Sequence, residues 1–144
     1  MPALLERPVV FAKEELLRIP GWGRVGTAYG LVPVARAEGA RALRAMIDGA
    51  RAMSGGVRPL AIFPEGTRVR HGTDPVIQSG FAGLYKLMGL PVVPIAVNSG
   101  PLYHRRWKQP GTITYKVGET IPPGLPRVEV EMRVHAAINA LNRK

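Results

Sequence analysis

The sequence predicts an α/β fold, a mixed or mostly parallel sheet covered by helices, and three observations carry that expectation. Short apolar runs alternate along the chain with segments of helical period. Glycine and proline, 17 and 14 of the 144 residues, punctuate the junctions between them. The densest set of chemistry-bearing residues follows one apolar run directly, and open α/β sheets bind ligands beyond the carboxyl ends of their strands.

In chain order, residues 8–12 read as a short strand and 13–18 as a helical turn behind it. Pro20-Gly21-Trp22-Gly23 breaks the chain, and a short helix is expected over 24–29. Residues 31–34 read as the second strand. The clearest helix is 38–53, where Leu43, Met46, Ile47, Ala50 and Met53 recur at near-helical spacing opposite Arg41, Arg44 and Arg51. Ser54-Gly55-Gly56 ends it. Pro59-Leu60-Ala61-Ile62-Phe63 then reads as a buried strand, followed by a polar loop over 65–78.

Residues 80–88 are expected to be helical, with Phe81, Leu84, Tyr85 and Met88 on the core face and Gly89 as the stop. Residues 92–97 form the next strand, and Asn98-Ser99-Gly100-Pro101 a turn. The alternation of 112–117 suits a half-buried strand. Ile121-Pro122-Pro123-Gly124 breaks the chain again, and 127–141 closes it as a helix with Val130, Val134, Ile138 and Leu141 inward. No internal repeat or long low-complexity segment interrupts this order, so 1–144 is read as one domain with room for a core.

Composition narrows the function classes. A chain without cysteine has no disulfide framework, thiolate metal ligand or thiolate nucleophile. The start, Met1-Pro2 followed by Glu6, lacks the pattern of a secretory signal, and the apolar run over 90–97 is far too short to span a bilayer. A net charge of +10 favours anionic partners. Tyr103-His104-Arg105-Arg106-Trp107-Lys108 mixes aromatic and basic residues in a way that suits a membrane interface or stacked bases. No recognised nucleic-acid motif accompanies it; an anionic membrane surface or acyl-donor phosphates are preferred, and no nucleic acid is expected, mainly through the family resemblance set out below and the general attraction of basic surfaces to anions. The helix arginines equally suit a solvated basic face.

The informative loop is Phe63-Pro64-Glu65-Gly66-Thr67-Arg68. Gly66 permits close backbone approach or a positive φ. Arg68 offers a planar fork for phosphate or carboxylate, and Thr67 a hydroxyl donor. Glu65 suits orienting the arginine or accepting from a substrate hydroxyl. On chemistry alone, a surface turn holding a Glu–Arg pair is an equal alternative.

This block resembles the FPEGTR block of the glycerolipid acyltransferase family, the 1-acylglycerol-3-phosphate acyltransferases in particular. Three further segments agree in order and spacing. The stretch 9–20 resembles the strand and helix before the family's second block. Gly30-Leu31-Val32-Pro33-Val34-Ala35-Arg36 resembles that second block, and Val93-Pro94-Ile95-Ala96-Val97 the fourth. The resemblance covers essentially all 144 residues.

Two departures stand out. Ala35 occupies the position where the family usually has an aspartate before the arginine. The family's first block, a His-x4-Asp pair that supplies the general base and its orienting carboxylate, is missing. The histidines are His71, His104 and His135, none before Arg36 and none followed five residues on by aspartate. His71 reads as a loop residue, His104 as part of a solvated basic loop, and His135 as a surface or boundary residue of the last helix. The expectation is therefore a family member lacking its N-terminal part, with the dyad and any membrane anchor upstream of Met1. Such a truncated sheet is expected to self-associate.

The resemblance implies acyl transfer without a covalent enzyme intermediate, metal or redox cofactor. The acceptor is lysophosphatidate or glycerol phosphate, and the co-substrate acyl-CoA or acyl carrier protein. Arg36, Glu65, Gly66, Thr67 and Arg68 carry over as the acceptor phosphate-binding set, with Lys13 added for its place at the end of the first strand. No catalytic residue carries over. The implied place is cytoplasmic, peripheral at the inner face of the cytoplasmic membrane. A non-catalytic module that holds phosphate or anionic lipid is the alternative.

Overall fold

The computed structural model describes residues 5–34, 39–55, 58–67, 69–103 and 110–142. They fall into two compact units, Met1–Phe63 and Pro64–Lys144.

The first unit is a parallel sheet with helices in its crossovers. Its elements are β1 (Val9–Lys13), α1 (Glu14–Leu17), α2 (Trp22–Tyr29), β2 (Leu31–Val34), α3 (Gly39–Ser54) and β3 (Leu60–Ala61). The strand order is β2-β1-β3, with both pairings parallel. Val10 to Lys13 stand opposite Leu31 to Val34, and Val9 and Val10 opposite Leu60 and Ala61. Strand β1 is thus central, and Val9 and Phe11 are buried. Pro33 falls on β2, which has one sheet neighbour among the described residues, so its missing N–H costs no ladder bond there on the other side. Met46, Ile47 and Ala50 of α3 are buried and Arg41, Arg44 and Arg51 exposed, as the spacing predicts, while Leu43 and Met53 are only half-buried and Ala42 takes a buried place that the spacing reading did not give it. Helix and strand approach closely at Gly49, where a Cβ would lie 3.2 Å from Val32 Cγ1.

The second unit comprises α4 (Ser79–Met88), β4 (Ile95–Val97), α5 (Gly100–Tyr103), β5 (Tyr115–Val117) and α6 (Arg127–Ile138). The strands β4 and β5 pair antiparallel, with Ile95 opposite Val117 and Val97 opposite Tyr115. Phe81, Leu84 and Tyr85 from α4, Ala96 from β4, and Val130 and Val134 from α6 are buried.

Several boundaries differ from the sequence reading, for local reasons. The strand expected to be buried over 59–63 contributes only Leu60–Ala61 to the ladder, both half-buried, and Phe63 is exposed. The strand expected over 92–97 splits: Val92 pairs alone with Ile121, and the ladder restarts at Ile95, beyond Pro94. The strand expected over 112–117 is ordered as ladder only from Tyr115. Trp22 and Gly23, read as part of a break, lie in the first turn of α2. The turn expected over 98–101 becomes α5, since Pro101 near a helix start gives up an N–H that has no partner there. The last helix ends at Ile138, where Asn139 caps it.

Candidate functional site

The loop of the Phe63–Arg68 motif leaves β3 and enters the second unit at Pro64. Its far end is fixed by Gln78, whose N–H donates to Pro64 O at 2.9 Å just before α4 begins. Residues 64 to 78 therefore form a closed excursion. Gly66 sits at φ 66, in the left-handed region, where only glycine is free of Cβ strain. Thr67 follows it with an exposed side chain, and Glu65 before it is half-buried.

Helix α6 and its end hold this excursion in shape. Asn142 Oδ1 accepts from the Gly72 N–H at 2.7 Å, while its Nδ2 donates to Thr73 O at 2.7 Å and to Asn139 Oδ1 at 2.9 Å. Gly72 is at φ 80, and Thr73 closes the turn by donating through both N–H and hydroxyl to Arg70 O. In the last turn of α6, His135 Nε2 lies 2.9 Å from Asp74 Oδ1. Partial burial pushes the Glu65 carboxyl above its ordinary value of 4.5, and positive charge on His135 opposes that rise. Asp74, His135, Glu131 and Met132 line an open depression of about 250 Å³.

Sequence reasoning chose Glu65, Gly66, Thr67 and Arg68 but not the residues that shape their loop. Asp74 partners His135 rather than His71, three residues away in sequence. The His71 side chain is exposed and packs on Gly100, where a Cβ would lie 2.6 Å from His71 Cβ. Asn142 carried no motif signal; its pairing with a glycine turn seventy residues earlier is purely tertiary.

Lys13 belongs to the first unit. It ends β1 with an exposed side chain, in register with Val34, the last residue of β2. The chain reaches Arg36 two residues beyond Val34, but Arg36 and Arg68 lie outside the described residues, as does the 104–108 part of the aromatic-basic cluster. Among the described residues no group of three or more His, Asp or Glu could hold a metal ion, and no helix is long and apolar enough to cross a membrane.

Known proteins resemble this chain throughout. The profile of the family described as Acyltransferase matches residues 1–98. A 1-acyl-sn-glycerol-3-phosphate acyltransferase of Pseudomonas aeruginosa is 33% identical over 92% of this chain and 49% of its own length. The human 1-acyl-sn-glycerol-3-phosphate acyltransferase beta is 30% identical over 98% of this chain and 52% of its own. The chain thus spans about half the length of these relatives. In structure it resembles the 1-acyl-sn-glycerophosphate (LPA) acyltransferase PlsC of Thermotoga maritima, with a TM-score of 0.68 and 26% identity over 96% of this chain and 58% of that one. The α/β fold and the profile over more than half its residues agree: the chain belongs to the acyltransferase family.

Proposed function

We propose that this chain serves phospholipid biosynthesis as a 1-acylglycerol-3-phosphate O-acyltransferase, moving an acyl group from acyl-CoA or acyl carrier protein to lysophosphatidate. In that reaction a base takes the acceptor hydroxyl proton and the oxygen attacks the thioester carbonyl. The C–S bond breaks, giving phosphatidate and a free thiol. No metal or redox cofactor enters this scheme. The observation that carries the reading is the 63–68 loop, where Gly66 at φ 66 turns the backbone between a half-buried Glu65 and an exposed Thr67. The relatives named for this activity support it.

In this reading Arg36, Thr67 and Arg68 hold the acceptor phosphate, with Gly66 letting the backbone approach and Lys13 adding charge. Glu65 orients the arginine or accepts from a substrate hydroxyl. The two units together serve as one acyltransferase domain, peripheral to the cytoplasmic face of the membrane. General-base assistance is worth roughly 10²–10⁴-fold, and no His-x4-Asp occurs among these 144 residues. Turnover by the chain alone is therefore expected to be very low.

That gap favours a second reading, a non-catalytic module that grips phosphate or anionic lipid through the same loop. An assay with lysophosphatidate and labelled acyl-CoA separates the two. Turnover abolished by Arg68→Ala supports the transferase with an unrecognised base. Binding of lysophosphatidate that needs Arg68, without turnover, supports the module.

A further inference from the structure

We infer that the outward face of α2 is a docking surface for an anionic lipid bilayer. Helix α2 is packed inside out. Its buried residue is Gly26, where a Cβ would lie 2.8 Å from Leu31 Cδ1 and 2.9 Å from Leu17 Cδ2. At Gly23 a Cβ would overlap the Leu17 carbonyl oxygen. The helix thus approaches its own unit through glycines, and Leu17 and Leu31 supply the apolar contact.

The large apolar side chains of α2 face the other way. Trp22, Val25 and Tyr29 are 53%, 63% and 42% exposed, and Ile19 in the turn before them is 50% exposed. Spaced at i, i+3 and i+7, the three helical residues form one stripe. A helix that faces only water presents its polar residues there, and a contiguous exposed apolar patch marks an interaction site.

The chemistry of the stripe selects the occupant. Tryptophan and tyrosine pair an apolar ring with a polar N–H or O–H, which suits headgroup depth in a bilayer. Arg24 is exposed beside them, and residues 17–34 contain two arginines and no acidic residue, in a chain of net charge +10. Arg18, the other arginine, pairs with Glu14 at 2.7 Å. Eight residues make a helix about 12 Å long, so the stripe lies in the interface and does not span it. The choice of lipid rests partly on the phospholipid reading above, but the binding needs no turnover.

The test uses the full chain carrying Trp107→Phe, so that emission reports Trp22 alone, with vesicles of phosphatidylglycerol and phosphatidylcholine and no acyl donor. Expected is a blue shift of Trp22 emission that weakens with added salt and is much smaller on pure phosphatidylcholine. Val25→Ser with Tyr29→Ser should lower vesicle partitioning at least tenfold. Both positions are exposed, so the unfolding midpoint should hold. Unshifted Trp22 emission on anionic vesicles overturns the inference, whatever the double variant does. So does a concentration-dependent dimer that the double variant abolishes while vesicles leave Trp22 unshifted; a second copy then occupies the stripe. A failed acyl-transfer assay leaves this readout intact.

Discussion

The guanidinium of Arg58 occupies the space that a side chain on Gly30 would need. It is pinned there by four main-chain carbonyls. Nε donates to Arg7 O at 2.6 Å, Nη2 to Tyr29 O at 2.7 Å and Pro8 O at 3.4 Å, and Nη1 to Met53 O at 3.3 Å. One side chain thereby ties the entry to β1 to the ends of α2 and α3. Arg7 takes φ 46, uncommon for a non-glycine residue, and its carbonyl is one of the four acceptors. Gly30 itself sits at φ 114.

Gly30→Ala should therefore destabilise the chain by more than about 1 kcal/mol, since alanine is strained at that φ and the guanidinium is not free to retreat. Urea unfolding checks this. In an Arg58→Ala background the cost should shrink, with a coupling of about 0.5–3 kcal/mol expected for residues in contact. Strict additivity would show that Arg58 does not fill the space.

Tyr85 is expected to be structural. Its hydroxyl donates to Pro122 O at 2.5 Å and accepts from Leu125 N at 3.0 Å, closing the Pro-Pro-Gly turn onto α4. Tyr85→Phe leaves a half-buried N–H without its partner and should cost about 1–3 kcal/mol. Thermal unfolding measures the loss, and ligand affinity should be unchanged.

Asn142 and Asp74 should behave oppositely, although both lie where α6 meets the 64–78 loop. Asn142→Ala removes an acceptor from Gly72 N and a donor to Thr73 O. Amide exchange at Gly72 should accelerate while the core amides stay protected. Asp74→Asn breaks a pair whose carboxylate is 83% exposed, and such pairs contribute about 0–1 kcal/mol. Its unfolding midpoint should barely move.

Glu65 gives the pH dependence a sign. Its folded-state value is raised above 4.5, chiefly by burial, so the folded chain holds this proton more tightly than the unfolded chain. The stability this confers is present in full below 4.5 and is lost as pH rises through the folded-state value. Glu65→Gln cannot ionise. Its stability relative to the parent should improve from pH 4 to pH 7 in paired urea titrations, and a difference that is flat with pH would contradict the burial of this carboxyl.

Gly66→Ala forces a Cβ into φ 66, at a cost of about 1–2 kcal/mol. Because the strain falls within the proposed phosphate grip, lysophosphatidate affinity should fall alongside stability. Equilibrium dialysis with labelled lysophosphatidate reads the affinity, and Thr67→Ala, free of backbone strain, should lower it without the stability loss.

Much of the fold was legible because it is written in local pattern. The alternation of apolar runs with helical periods gave β1, β2 and α3 nearly to the residue. The buried set Met46, Ile47 and Ala50 followed from spacing alone. Pro94 misled one strand length, since a run can be apolar and extended and still lack the N–H that a ladder needs. For α2 the sequence reading placed Trp22 in a break, so the stripe of Trp22, Val25 and Tyr29 was not read; the glycines on the opposite side decided which face turned inward.

The sequence by itself determined the family and the turn at Gly66, because a six-residue block and a glycine that must turn left are properties of consecutive residues. Tertiary structure decided what surrounds them. It joined Asp74 to His135 rather than to nearby His71, brought Asn142 to Gly72, and set Arg58 in the place of a Gly30 side chain. Each of those contacts links residues more than twenty positions apart. No local pattern encodes them, since they exist only once the chain has closed its loops and lost the entropy that kept their partners apart.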